Sequence, residues 1–398
     1  MKRLKWAFSA IGCAVLLAGC GGSDSPRFSQ LVSFGDSLSD VGSYRVGTVA
    51  AVGGGKWTVN SASAKNWTEW VAARYELPAP CPAQTGLFPL IPGFTGAPIQ
   101  NFAGCRNYAQ GSARVTSPAG PNSTAVQAAV SAANGGGTAG TTAAAAVAPA
   151  GLMATPLATQ LSTHLATVGG GFGDRELVTV MAGANDFFMH INAAASAAAG
   201  GATAVGAAQL AGWSAADQTA VAPGGAGAAS AGANAAVRGM AQAATELVTL
   251  VKTQIVAKGA RYVVVINLPD ASQTPDALSQ DANTRGLMTA MINAFNNTLQ
   301  SGLTGTGGVL LLDAYTQGRD QVANPAAYKL SNVTAAACSK TSSANPLAGS
   351  SLGCTPASTI AGDTSQHYWA DGGGHLTPAG YQLLADFVIS RIQGAGWP

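Results

Sequence analysis

Four short segments carry residues that could do chemistry together. The first is Phe34-Gly35-Asp36-Ser37-Leu38-Ser39-Asp40. An apolar run, residues 30–34 (QLVSF), ends there in a Gly-Asp-Ser turn, so the Ser37 hydroxyl is expected at the end of a strand. Open α/β folds place their sites at that edge of a parallel sheet. A helix starting after Ser37 would aim backbone N–H groups at the same spot. A lone Gly-Asp-Ser turn would equally suit a helix-capping serine, so the other three segments carry the weight. Asn107-Tyr108-Ala109-Gln110-Gly111-Ser112-Ala113 offers, at Gly111, a backbone N–H that can approach a ligand closely. Gly183-Ala184-Asn185-Asp186-Phe187 directly follows an apolar run, residues 176–182 (ELVTVMA), and the Asn185 amide could donate to a developing oxyanion. Gly374-His375-Leu376-Thr377-Pro378 places a base just before a closing helix. A nucleophile, a base and hydrogen-bond donors are the parts that acyl transfer requires.

Other residues compete for these roles and fit them less well. Gly349-Ser350-Ser351-Leu352-Gly353 matches G-x-S-x-G, but a nucleophile elbow needs a strand before it and a helix after it. This one sits in a Ser/Gly/Pro-rich stretch beside Cys354, and the match is read as chance. His164, His190 and His367 have no setting like that of His375, although His367 and Trp369 are near enough in sequence to line its pocket.

The elements that must position these residues follow from periodicity. Strands are expected at residues 30–34, 176–182, 261–267 (RYVVVIN) and 309–313 (VLLLD). Helices are expected at 64–75, at 234–258 closed by Gly259, at 282–303, and at 377–393 with Pro378 in the first turn. Strands alternating with long helices imply parallel βαβ units and a three-layer α/β/α sandwich. Residues 117–150 and 192–233 interrupt this pattern. They are rich in Ala and Gly with few charges, and read as mobile surface loops inserted in one domain over 30–398. The second stretch follows Asn185 and could act as a lid.

The N-terminus reads as a targeting segment. Lys2, Arg3 and Lys5 precede an apolar run, residues 6–17, which ends in Leu17-Ala18-Gly19-Cys20. That ending resembles a bacterial lipobox, which implies cleavage of residues 1–19, lipidation of Cys20 and a short linker over 20–29. Gly21 and Gly22 after the cysteine favour the outer membrane under lipoprotein sorting. Losing the three leader cations leaves 17 Lys and Arg against 18 Asp and Glu, and no basic cluster follows. Nucleic-acid binding thus lacks an electrostatic basis. Charged residues make up 10% of the chain against a usual ~25%, so neutral side chains must cover most of the surface. Cys81, Cys105, Cys338 and Cys354 remain, an even number in an oxidising compartment. Of the possible pairings, the two close ones, Cys81–Cys105 and Cys338–Cys354, are the simplest. A zinc site is the rival, without CxxC spacing or a neighbouring His to support it. No metal or other cofactor is expected.

Taken together, the segments resemble the GDSL, or SGNH, family of esterases and lipases. FGDSLSDVG is similar to its first block, NYAQGSA to its second, GANDFF to its third, and HLTPAG to the histidine block, from about residue 30 to the C-terminus. The resemblance implies a flavodoxin-like sheet of about five parallel strands. It implies Ser37 as nucleophile, His375 as general base, and an oxyanion hole from the Ser37 and Gly111 backbone N–H groups and the Asn185 side chain. It implies a carboxylic ester as substrate; a phospholipase or lipid acyltransferase is the nearest alternative, and a non-catalytic surface lipoprotein the alternative of another class. The chain departs from the pattern in one place. Most family members carry an Asp three residues before the histidine; here that residue is Gly372, and Asp371 lies four before. Gly372-Gly373-Gly374 can take positive φ and bring Asp371 round to complete a triad. The rival is a Ser–His dyad with His375 held by a backbone carbonyl.

Overall fold

The computed structural model describes residues 27–398, and within them seven strands form. They are β1 (Gln30–Gly35), β2 (Gln84–Pro89), β3 (Ala97–Asn101), β4 (Ala150–Gly151), β5 (Glu176–Met181), β6 (Tyr262–Ile266) and β7 (Val309–Leu312). The proposed signal peptide and Cys20 lie outside the described residues, as does most of the 20–29 linker.

Strands β1, β5, β6 and β7 make one parallel sheet in that order. Their residues are apolar on both faces, as a parallel sheet covered on both sides demands. Val32, Phe34, Val178, Val180, Val263 and Val265 point to one layer. There they meet the helices Leu157–Thr167, Gly225–Leu250 and Ala282–Leu303 through Leu161, Leu247 and Phe295. The alternate residues Leu31, Leu177, Met181, Val264, Ile266 and Leu312 point to the other layer. They pack on Val71 of Trp67–Arg74 and on Leu384 and Val388 of Pro378–Gly394. The period-two alternation of side chains splits each strand between two cores, and the fold is a three-layer α/β/α sandwich.

The sheet has four strands rather than about five. On the free edge of β1, residues 106–110 run alongside without becoming a strand. Ser33 N–H donates to Arg106 O at 3.0 Å, Tyr108 N–H to Ser33 O at 2.8 Å, and Gln110 N–H to Gly35 O at 3.2 Å. The pairing is limited to one bridge, Ser33 to Asn107, because the chain turns away at Gly111-Ser112, where Ser112 takes φ 66. Strands β2, β3 and β4 form a separate antiparallel sheet.

The Ala/Gly-rich stretches are helical, which corrects the reading of them as mobile loops. The first contains Thr124–Ala133 and Gly137–Val147. The second contains the end of Ala184–Ala199, then Gly201–Ala211, Ala215–Val221 and the start of Gly225–Leu250. The last of these begins nine residues before the expected 234 and ends in a π turn, Val251–Ile255. Alanine has the best helix propensity of any residue, and Ala204, Ala208, Ala228 and Ala235 bury against the larger core. Small side chains let these helices pack closely without bulky apolar residues.

Candidate active site

Strand β1 ends in a turn that only glycine can make. Gly35 has φ +142, and a Cβ there would lie 2.0 Å from Met181 O. The Gln160 side chain grips both backbone groups of Gly35: Oε1 accepts from its N–H at 2.9 Å and Nε2 donates to its carbonyl at 2.8 Å. Ser37 follows in a tight turn closed by Ser39 N–H to Asp36 O, 3.1 Å. No helix starts after Ser37, contrary to the helix-dipole expectation; the dipole at this edge belongs to Ala184–Ala199, which begins just past β5. The Ser37 N–H has no acceptor among the described residues.

His375 Nε2 lies 2.8 Å from Ser37 Oγ, and His375 Nδ1 lies 2.7 Å from Asp371 Oδ2. The four-residue spacing closes because the loop folds onto its own carboxylate. Asp371 Oδ1 accepts from the N–H groups of Gly373 and His375, each at 3.2 Å. Of the three glycines only Gly374 takes a positive φ, +108, and that single residue absorbs the extra length. Asp371 is buried, and burial alone would raise its pKa. The His375 charge and hydrogen bond, with the Ser351 N–H at 3.1 Å, outweigh that and hold it below the usual carboxylate range. Burial would lower the His375 pKa, but Asp371, aided by Asp36, raises it above 6.5. Burial pushes Asp36, whose Oδ1 accepts the Leu38 N–H at 3.1 Å, up to about 7.

The second and third segments are tied to each other. Asn185 Nδ2 donates to Ala113 O at 2.9 Å, which leaves its second N–H free. Asp186 pairs with Arg114 Nε at 2.8 Å and accepts the Val115 N–H at 3.0 Å. Both side chains of this ion pair are about 5% exposed or less. Arg114 also donates to Leu210 O and Ala211 O, the last carbonyls of Gly201–Ala211. The Ala-rich helices are thereby fastened to the wall of the site.

Gly111 needs a correction. Its N–H, expected to face an oxyanion, donates to Asp40 Oδ2 at 3.0 Å. The adjacent Ser112 N–H has no acceptor among the described residues. Gly111 is required for packing, since a Cβ there would lie 2.3 Å from the Trp57 ring.

Trp57 was not legible from sequence. Its ring stacks on the His375 imidazole, centroids 4.8 Å apart and planes at 29°. Asp40 Oδ2 lies 3.4 Å from its Nε1, and Tyr381 donates to its carbonyl at 3.1 Å. Nothing in its local sequence marks it, because the contact arises from two distant loops.

A cleft opens at Ser37 and His375, lined by Phe187, Phe188, Leu268 and Ile292. Trp369 lines it as expected, and His367 does not. No residue of 192–233 lines it, so the proposed lid has no place at this cavity. Burial lowers the pKa of His164 to about 4 and of His190 to about 3, so both stay neutral. The cysteines pair as Cys81–Cys105 and Cys338–Cys354, the simplest pairing. The G-x-S-x-G segment lies beside the second disulfide, and its Ser351 N–H is the donor to Asp371.

A family model described as GDSL-like Lipase/Acylhydrolase matches residues 31–388. A comparison with curated proteins finds no match.

Proposed function

The chain belongs to the GDSL-like lipase/acylhydrolase family, and from that premise we propose that it is a serine esterase hydrolysing carboxylic esters through an acyl-enzyme on Ser37. The observation that carries this reading is the unbroken relay from Ser37 Oγ through His375 to Asp371, 2.8 and 2.7 Å. His375 takes the hydroxyl proton on Nε2 as Ser37 Oγ attacks the ester carbonyl carbon. The proton then passes to the leaving alkoxide, and the acyl group remains on Ser37. Water attacks the acyl-enzyme, gives its proton to His375, and the carboxylic acid leaves as Ser37 is restored. Asp371 holds the imidazole with its proton on Nδ1 and stabilises the imidazolium that forms.

The developing oxyanion is stabilised by the free N–H of Ser37 and the second N–H of Asn185. Gly111 acts by position: its amide is committed to Asp40, and its missing Cβ makes room for Trp57. The Trp57 ring covers one face of His375, shields it from water and favours its cationic form through its π face.

Export and a Cys20 lipid anchor belong to the same proposal, supported by the leader pattern of residues 1–20 and by the two disulfides. An anchor would hold the enzyme at a bilayer and is not needed for turnover of soluble esters. The test is turnover of p-nitrophenyl acetate and butyrate beside p-nitrophenyl phosphate. Ester cleavage with no phosphatase activity is expected; absence of ester cleavage by folded protein contradicts the proposal.

A further inference from the structure

Asn185 stands in the first turn of the helix Ala184–Ala199, which fixes its backbone. Its side chain has one hydrogen bond among the described residues, Nδ2 to Ala113 O at 2.9 Å. The direction of its second N–H therefore depends on where the Ala113 carbonyl lies. Ala113 belongs to no strand or helix. The two residues after it are bound to the residue after Asn185. Arg114 Nε donates to Asp186 Oδ1 at 2.8 Å, and the Val115 N–H donates to Asp186 Oδ2 at 3.0 Å. Both Asp186 oxygens are thus spent on the segment that carries the Ala113 carbonyl. Arg114 Nη1 and Nη2 donate to Leu210 O and Ala211 O, each at 2.9 Å. Those carbonyls close the helix Gly201–Ala211, where helix carbonyls lack partners and a cation is favoured.

We propose that Arg114 and Asp186 are positioning residues for the oxyanion hole: the pair locks Ala113 O against Asn185 and so holds the free Asn185 N–H in place during the reaction. The inference rests on the esterase reading of Ser37 and deepens it. Neither residue lines the cleft at Ser37; both line a separate polar cleft beside Asp217 and Glu246. They act through Asn185 and not on the substrate. A buried ion pair adds little net stability, because desolvating two charges offsets their attraction. What this pair supplies is direction, since a planar guanidinium fixes several bonds at once. An amide held in advance needs no reorganisation when charge develops on the substrate oxygen, and a swinging one does. The Ala-rich helix Gly201–Ala211 serves in this arrangement as a brace behind the oxyanion hole.

The test is a double-mutant cycle on p-nitrophenyl acetate and butyrate, with thermal unfolding followed in parallel. Arg114→Ala, Arg114→Lys and Asp186→Asn are each made alone and together with Asn185→Ala. Lysine keeps the charge but has one nitrogen, which cannot serve Asp186 and both helix carbonyls. Arg114→Ala is expected to lower kcat by roughly 10- to 100-fold with KM within about 2-fold, the scale of a misplaced catalytic group. Arg114→Lys and Asp186→Asn show the same split in smaller measure, and they carry the comparison where Arg114→Ala does not fold. In the Asn185→Ala background the same substitutions should change kcat by less than about 2-fold, because the donor they hold is gone. A lowered melting temperature with unchanged kcat would make the pair structural only. An equal kcat loss with and without Asn185 would mean that the pair acts by another route, such as the Arg114 charge acting on the oxyanion directly. Either result would overturn the proposal. Wild-type protein inert to both esters would instead overturn the esterase reading on which it rests.

Discussion

Ser37 and Ser351 both sit in glycine-framed turns, and both are buried, yet the surroundings assign them opposite parts. Ser37 lies at the end of a parallel strand, with a histidine on its hydroxyl and a free N–H beside it. Ser351 lies in a short turn, Ser351–Gly353, pinned by Cys338–Cys354, and it contributes its backbone N–H to Asp371. The better match to a familiar nucleophile pattern is the poorer site. What distinguishes them is the element that delivers each serine: a sheet edge brings a histidine to the Ser37 hydroxyl, whereas the disulfide-bound loop offers its neighbours backbone groups, such as the Ser351 N–H to Asp371 and the Ser351 carbonyl to Asn60. Ser351 still touches the relay, since its backbone N–H donates to Asp371 at 3.1 Å.

The widest gap between the two serines should appear in turnover. Ser37→Ala is expected to lower kcat on the order of 10⁶-fold with unfolding unchanged; esterase assays against a melting curve check it. Asp371→Asn is expected to cost about 10⁴-fold, because His375 loses the partner that fixes its tautomer. The pH profile sharpens this. The base works when neutral, and its pKa is raised above 6.5. Wild-type kcat/KM should therefore fall as pH drops through a midpoint above 6.5. Removing the Asp371 charge while burial remains moves that midpoint to lower pH. An unchanged profile in Asp371→Asn would favour the Ser–His dyad.

Asn185→Ala is expected to lower kcat by about 10²–10³-fold, the effect of losing one oxyanion donor, with KM the comparison that separates it from simple binding loss. Trp57→Ala should reduce kcat/KM by roughly 10-fold, the scale of a buried cation–π contact, read on the same esters. Ser351→Ala completes the series at the bottom: the backbone N–H to Asp371 survives, so turnover should stay within about 2-fold of wild type, in line with a substitution that removes no named interaction. A loss comparable to that of Ser37→Ala would reverse the comparison.

Much of the site could be read from sequence because Ser37, Asn185 and His375 each sit where an apolar run or helix begins or ends, and such boundaries are marked by Gly, Asp and Pro. Asp371 was legible once Gly374 was allowed a positive φ. Trp57 and the Arg114–Asp186 pair were not, since each depends on loops brought together only by the fold. The role of Gly111 was misread for the same reason: its acceptor, Asp40, comes from the nucleophile's own turn. The Ala/Gly-rich stretches held a usable signal. Alanine runs form the helices, and the pairs Gly200-Gly201 and Gly224-Gly225 mark their junctions. Low charge there does not bring mobility, because alanine's helix propensity outweighs it. The fifth strand that the resemblance implies does not form, for residues 106–110 run beside β1 with a single bridge and then turn away at Gly111.

The most direct test of Ser37 as the nucleophile is labelling of the intact protein with a fluorophosphonate, followed by peptide mapping. The phosphorus should be found on Ser37 alone, with fluoride released, and Ser37→Ala should take up no label. Label on Ser351, or equal labelling of Ser37→Ala and wild type, would contradict the account.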